Sequence, residues 1–170
     1  MLEYNVANVK VSLKTSKIFL DNVCNFAEEK EIFFKNYKNF IVVKTEFTYI
    51  IFKSKDEQFE SHVNITKIPS INKIPLAIDI ITSLIQCTAI SYKIDNIIAT
   101  TNLKKRINLA IISRSECFEN IKYNNEKFPG VFLKFKIGTV ILFHSGKLVI
   151  VGCKNIENIE CLISKICAHI

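Results

Sequence analysis

Apolar and polar residues alternate along this 170-residue chain in short runs, each about the length of a β-strand. In Val6 to Leu13, one parity holds Val9, Val11 and Leu13 and the other holds Asn8, Lys10 and Ser12. Ile94 to Thr101 alternates likewise, with Asn96, Ile98 and Thr100 sharing a side. Further alternating runs cover Phe40 to Thr45, Thr48 to Lys53, roughly Phe59 to Ile65, Val131 to Ile137, Thr139 to Phe143 and Leu148 to Val151. Ser145-Gly146 predicts the turn before the last run. Around that turn Phe143, Ser145, Lys147, Val149 and Val151 share one parity. Leu142, His144, Gly146, Leu148, Ile150 and Gly152 share the other, which is expected to pack under helices.

Helical spacing takes over elsewhere. Ile156, Ile159, Leu162, Ile163, Ile166 and Cys167 line one face of a helix predicted over Ile156 to His169. A second helix is predicted from about Pro75, a favoured first-turn residue, with Ala77, Ile78, Ile81, Leu84 and Ile85 on its apolar face. The mixed stretches from about Lys17 to Lys35 and about Lys105 to Phe118 also read as helical.

The element order is thus strand, helix, a run of strands and a helix, stated twice, and the residues repeat as well. Tyr4-Asn5-Val6-Ala7-Asn8-Val9 and Tyr92-Lys93-Ile94-Asp95-Asn96-Ile97 match at an offset of 88 (92 − 4). Phe40 and Phe128 keep that offset, and Tyr49-Ile50-Ile51-Phe52 aligns with Val140-Ile141-Leu142-Phe143 at 91 (140 − 49). Three ordered matches predict a duplication, residues 1–88 and 89–170, folded as one intertwined domain. A long helix in each repeat would cover one face of an antiparallel sheet, an α+β architecture that leaves the other face free.

Composition sharpens this reading. With 49% hydrophobic and 23% charged residues the chain is expected to fold. Its net charge of +7 favours polyanions. Met1-Leu2-Glu3-Tyr4 shows no secretory signal. Ile74 to Tyr92, interrupted by Asp79, Thr82, Ser83 and Gln86, is too polar for a membrane span. The six cysteines form no CxxC pair, and His62, His144 and His169 lack zinc-ligand spacing. Reduced, buried cysteines, no metal and no cofactor are therefore expected. No catalytic constellation stands out. Ser145-Gly146-Lys147 echoes a phosphate loop, but Ile141 occupies the position of the required glycine.

A free sheet face carrying valine, isoleucine, asparagine and threonine suits the DNA minor groove. The A·T pairs there present acceptors only, to which an asparagine can donate. Phenylalanines at strand ends can wedge between base steps.

Phe128-Pro129-Gly130-Val131, the strand ending in Phe143, and Ser145-Gly146-Lys147-Leu148-Val149-Ile150-Val151-Gly152-Cys153-Lys154 resemble the second repeat of the TATA-box-binding protein family. The likeness runs from about Tyr92 to the C-terminus, with a weaker, in-register likeness from Tyr4 to about Ile85. It implies a two-repeat saddle, a curved antiparallel sheet with helices on the convex face. It also implies a transcription initiation factor rather than an enzyme, one that binds and bends A·T-rich double-stranded promoter DNA. Phe128 and Phe143 match the second kinking pair, and Phe40 and Phe52 the first. Asn96 and Asn8 match the asparagines of the central groove. Ile98, Val149 and Val151 match groove contacts, with Ser145 and Lys147 at the rim. Implied partners are factors resembling transcription factors A and B and the RNA polymerase machinery. The implied location is the nucleus, or the cytoplasm for a virus transcribing there.

The chain departs from the family pattern mainly in the first repeat. Lys10 replaces an apolar groove contact, and Val151 stands in place of a threonine. The first Ser-Gly-Lys turn is replaced by Lys53-Ser54-Lys55-Asp56-Glu57-Gln58, and the first repeat lacks the Gly-Ala-Lys end. The partner-contact loop reads Asn124-Asn125-Glu126-Lys127, with Glu126 alone retained beside Lys127. These departures predict a first repeat with weak or no DNA binding and altered docking of a factor-B-like partner. They also raise an alternative, a subunit acting through protein contacts.

Overall fold

The computed structural model describes residues 2–52 and 60–170, apart from the Leu20 side chain. Alternation decides most of its elements. Among the described residues, ten strands and four α-helices form an α+β fold, and the strands pair antiparallel. The chain divides into two compact units, Asn8–Asp95 and Asn96–Ile170, the latter also taking Met1–Ala7.

The first unit contains most of β1 (Asn5–Thr15), then α1 (Leu20–Glu29), β2 (Phe33–Asn36), β3 (Phe40–Lys44), β4 (Thr48–Phe52), β5 (Ser61–Ile68) and α2 (Ile74–Leu84). Its strands lie in the order β2-β3-β4-β5-β1. One parity of each strand is buried: Val9, Val11 and Leu13, then Ile41 and Val43, Tyr49 and Ile51, and Val63 and Ile65. Helix α2 covers that side with Ala77, Ile78 and Ile81. The Tyr49 hydroxyl donates to the Ala77 carbonyl at 3.0 Å, so its one polar atom is satisfied within the core.

Strand β6 (Ala89–Asn102), which enters the second unit at Asn96, leads to α3 (Leu109–Ile112), β7 (Ile121–Lys122), β8 (Gly130–Phe135), β9 (Gly138–Phe143), β10 (Lys147–Cys153) and α4 (Ile156–His169). The strand order is β6-β10-β9-β8-β7. Val131, Leu133, Val140, Leu142, Leu148 and Ile150 are buried on one side, which α4 covers with Ile159, Leu162, Ile163 and Ile166. The Asn155 side chain caps α4 by accepting from the Asn158 N–H at 2.9 Å. At the N-terminal end, the Thr101 hydroxyl donates to the Glu3 carbonyl at 2.5 Å.

Four expectations are corrected. The helix read over Lys17 to Lys35 ends at Glu29, and Phe33–Asn36 forms the edge strand β2. The stretch from Lys105 to Phe118 holds one short helix of four residues, begun by the Asn108 cap. His144 and Gly152, expected under the helices, are exposed. A register shift between Ile150 and Cys153 breaks the alternation and turns Cys153 inward instead. The cysteines are not uniformly buried: Cys153 is, whereas Cys117, Cys161 and Cys167 are exposed.

Candidate nucleic-acid interface

Each unit leaves the side of its sheet opposite the helices open. In the second unit that side carries a row running across the strands through paired positions: Thr100, Val149, Ile141, Phe132 and Lys122. All but Lys122 are half-buried. Beside the row, Val151 pairs with Thr139, and Thr139 with Lys134. Ile98 and Asn96 lie on the same side of β6. The face is therefore aliphatic and aromatic at its centre and basic towards β7.

Asn96 is held in one orientation. The Gly152 N–H donates to Asn96 Oδ1 at 2.6 Å, and Gly152 adopts φ +85° at the β10 irregularity. With the carbonyl oxygen engaged, the amide presents its NH2 group, a pure donor. The first unit repeats the device. The Lys67 N–H donates to Asn8 Oδ1 at 2.9 Å, and Lys67 has φ +64° although it carries a side chain.

The phenylalanine pairs assemble in both units. Phe128 and Phe143 have ring centroids 5.8 Å apart at 56°, and Phe40 and Phe52 6.3 Å apart at 52°. Phe40 and Phe52 are cross-strand partners, whereas Phe143 pairs with Gly130. A Cβ on Gly130 would come 2.9 Å from the Phe128 ring and 3.1 Å from Ile141, so glycine makes room for that ring. Phe132 packs on Phe128 at 5.0 Å, and Tyr37 stacks on Phe40 at 4.7 Å. Partly exposed aromatic pairs at strand ends are costly in water and point to a partner.

Ser145 and Lys147 sit at the β9–β10 turn, where the Lys147 N–H donates to Ser145 Oγ at 3.4 Å. Gly146 is required there: it has φ +81°, and a Cβ would meet the Lys105 carbonyl oxygen at 2.3 Å. Glu126 and Lys127 are exposed in a turn whose backbone N–H groups donate to Asn124 Oδ1 at 3.1 and 3.3 Å. The substituted turn Lys53-Ser54-Lys55-Asp56-Glu57-Gln58 lies outside the described residues.

The first unit's corresponding row is Ser12, Asn64, Ile50, Val42 and Lys35. Lys10 lies on the same parity of β1, its ammonium 3.9 Å from Asp95 Oδ2. Ser12 hydrogen-bonds the Asp95 carboxylate and lies 3.1 Å from the Asn64 amide oxygen. Sequence reasoning singled out Asn8 and Lys10 and missed Asn64, Asp95, Phe132 and Ile141. Extending the alternation back from Phe143 reaches Ile141, and aligning Asn64 with Val149 (149 − 64 = 85) exposes the polar replacement.

Residues 91–170 match the family model described as transcription factor TFIID, or TATA-binding protein. The structure superposes on Methanococcus jannaschii TBP with a TM-score of 0.81 at 27% identity, covering 96% of this chain and 95% of that one. The chain shares the fold of a TATA-box-binding protein, and its residues 91–170 carry that family's sequence pattern. Among curated family members, the TATA-box-binding protein of Methanothermobacter thermautotrophicus is 41% identical over 73 residues, 42% of this chain and 39% of that protein. That of Thermococcus celer is 37% identical over 79 residues, 45% of this chain and 41% of that protein. These sequence alignments thus span about two-fifths of the relatives' length. The family fold extends through both units, while close sequence likeness is concentrated in the second.

Proposed function

We propose that this protein is a general transcription initiation factor that binds and bends A·T-rich promoter DNA through the minor groove. The observation that carries the reading is the second unit's open face. There Asn96 offers its NH2 group beside Ile98, Val149, Val151 and Ile141, with the Phe128–Phe143 pair at the strand ends. A·T pairs line the minor groove with acceptors and a smooth floor, which suit one fixed donor among apolar side chains. Guanine's amino group would be left without a partner there. The Phe pair supplies the wedge that unstacks a base step, a mode for which this family is itself the type example. The chain's +7 charge would add a salt-sensitive attraction for phosphates. Partners resembling factors A and B and the polymerase machinery follow from the family, with Glu126 and Lys127 as candidate contacts.

The first unit's polar row favours a second reading, in which the protein is a subunit of an initiation complex and acts by protein contacts with little specific DNA binding. Fluorescence binding to A·T-rich and G·C-rich duplexes, with end-to-end energy transfer, separates the two. Preferential A·T binding that shortens the duplex, with bending lost in Phe128→Ala plus Phe143→Ala, is the expected result. Equal, weak binding without bending would favour the protein-contact reading.

A further inference from the structure

The cluster of Ser12, Asn64 and Asp95 on the first unit's open face is not explained by A·T recognition. Proton accounting decides what it presents. Ser12 has a single hydroxyl proton, and two acceptors lie against its oxygen, Asp95 Oδ2 and the Asn64 atom placed as Oδ1 at 3.1 Å. The proton goes to the carboxylate, the stronger acceptor. Asn64 then completes the network only with its NH2 turned towards Ser12, an exchange of two nearly indistinguishable amide atoms. That turn leaves the Asn64 carbonyl oxygen facing outward. Among the described residues none donates to Asp95 Oδ1, the Lys93 ammonium lying 3.8 Å away, beyond hydrogen-bonding distance. The face thus offers two acceptors where the aligned residues offer no side-chain acceptor, Val149 for Asn64 and, at the offset of 88 (95 − 7), Ala7 for Asp95.

In the minor groove every base pair shows acceptors, but only G·C adds a donor, the guanine amino group. A protein donor such as Lys10 therefore discriminates little between pairs. A protein acceptor discriminates strongly, because against A·T it faces another acceptor. We propose that the first unit's face reads a G·C pair, with Asp95 and Asn64 accepting from the guanine N2 amino group. The promoter element recognised would then be A·T-rich on one side and contain guanine on the other. Lys10 and Lys93 flank the carboxylate and keep that part of the face from repelling the phosphates. This inference rests on the minor-groove reading above.

The test walks one G·C pair through an A·T-rich duplex and repeats each duplex with inosine for guanine. Inosine·cytosine keeps the base pair and lacks the amino group, so the probe needs no protein variant. Within one half of the site, G·C is expected to bind at least as tightly as A·T, and inosine to weaken binding about ten-fold, the loss of one buried hydrogen bond. In the other half the order reverses, with G·C about ten-fold weaker and inosine restoring affinity. Asp95→Asn and Asn64→Val should each abolish the guanine preference, so that within that half of the site the G·C and inosine·cytosine duplexes bind equally. A G·C penalty relieved by inosine at every position would overturn the proposal and leave the A·T reading standing. Absence of selective duplex binding in every case would overturn both.

Discussion

The two open faces are built on one plan and finished with different chemistry. Row by row, Thr100, Val149, Ile141, Phe132 and Lys122 correspond to Ser12, Asn64, Ile50, Val42 and Lys35. The outer three positions keep their character, aliphatic or aromatic and then basic. The inner strands differ: Ile98 and Val149 in the second unit become Lys10 and Asn64 in the first, and Asp95 joins them. Both units keep an asparagine whose carbonyl is tied to a backbone N–H and a tilted phenylalanine pair at the strand ends. The buried parity keeps the same apolar character in both units, because close packing beneath the helices constrains it. The open faces carry no such constraint, because none of the described residues packs on them.

The largest expected effect tests that division between buried and open parity within one strand. Leu142 is fully buried beneath α4, and its neighbour Ile141 is half-exposed on the open face. Leu142→Ala should cost about 3 kcal/mol in urea unfolding, the usual cost of a core truncation that leaves a cavity. Ile141→Ala should cost less than about 1 kcal/mol, in keeping with its smaller burial, yet weaken A·T duplex binding several-fold. Equal losses of stability would mean that Ile141 is structural and the open face is not a separate surface.

Much of this division could be read from sequence, because alternation assigns parity by spacing alone. Val9, Val11 and Leu13 are buried, as their spacing predicts, and α4 spans Ile156–His169 as its apolar stripe requires. What could not be read has identifiable causes. Phe33-Phe34 lies next to a helix and is apolar on both parities, so β2 carries no strand period. The irregularity between Ile150 and Cys153 reverses parity, and its one sequence signal is Gly152 itself, a glycine within a strand pattern that alternation alone placed under the helices. Asp95 reads as an ordinary surface acid until β6 brings it onto Ser12, 83 residues away in sequence. The candidate site was therefore legible in the second unit, where the family pattern survives. In the first unit the polar replacements make sense only once neighbouring strands are aligned.

A second difference lies beneath the faces. Tyr49 occupies the position of Val140, 91 residues on (140 − 49), and both are buried. Burial pushes the Tyr49 hydroxyl up to about 12 from its ordinary 10. Below pH 10 the phenol is protonated in both folded and unfolded chains, and its contribution is complete. Between pH 10 and about 12 the unfolded chain releases the proton while the folded chain retains it, so stability falls as pH rises. Tyr49→Phe should cost about 1 kcal/mol at pH 7, through the lost bond to the Ala77 carbonyl. It should also flatten the decline above pH 10. Stability measured by urea unfolding across this range would show both effects, and an unchanged alkaline slope would assign the decline to other groups.

The smallest expected effect concerns the two backbone sites that orient the asparagines. Gly152 and Lys67 correspond at an offset of 85 (152 − 67), and their φ values are +85° and +64°. A Cβ at Gly152 would meet Gly138 Cα at 3.7 Å, an ordinary contact, so Gly152→Ala should cost only the left-handed backbone penalty of about 1 kcal/mol. Lys67 already bears that penalty. Lys67→Gly would relieve it but return about 0.5–1 kcal/mol of chain entropy to the unfolded state, leaving a net change near zero. The asymmetry is the prediction: a measurable loss of stability in the second unit and almost none in the first. If Lys67→Gly instead destabilised by more than about 1 kcal/mol, the lysine side chain would be contributing contacts of its own. The first unit's asparagine would then be held by a different device from the second's.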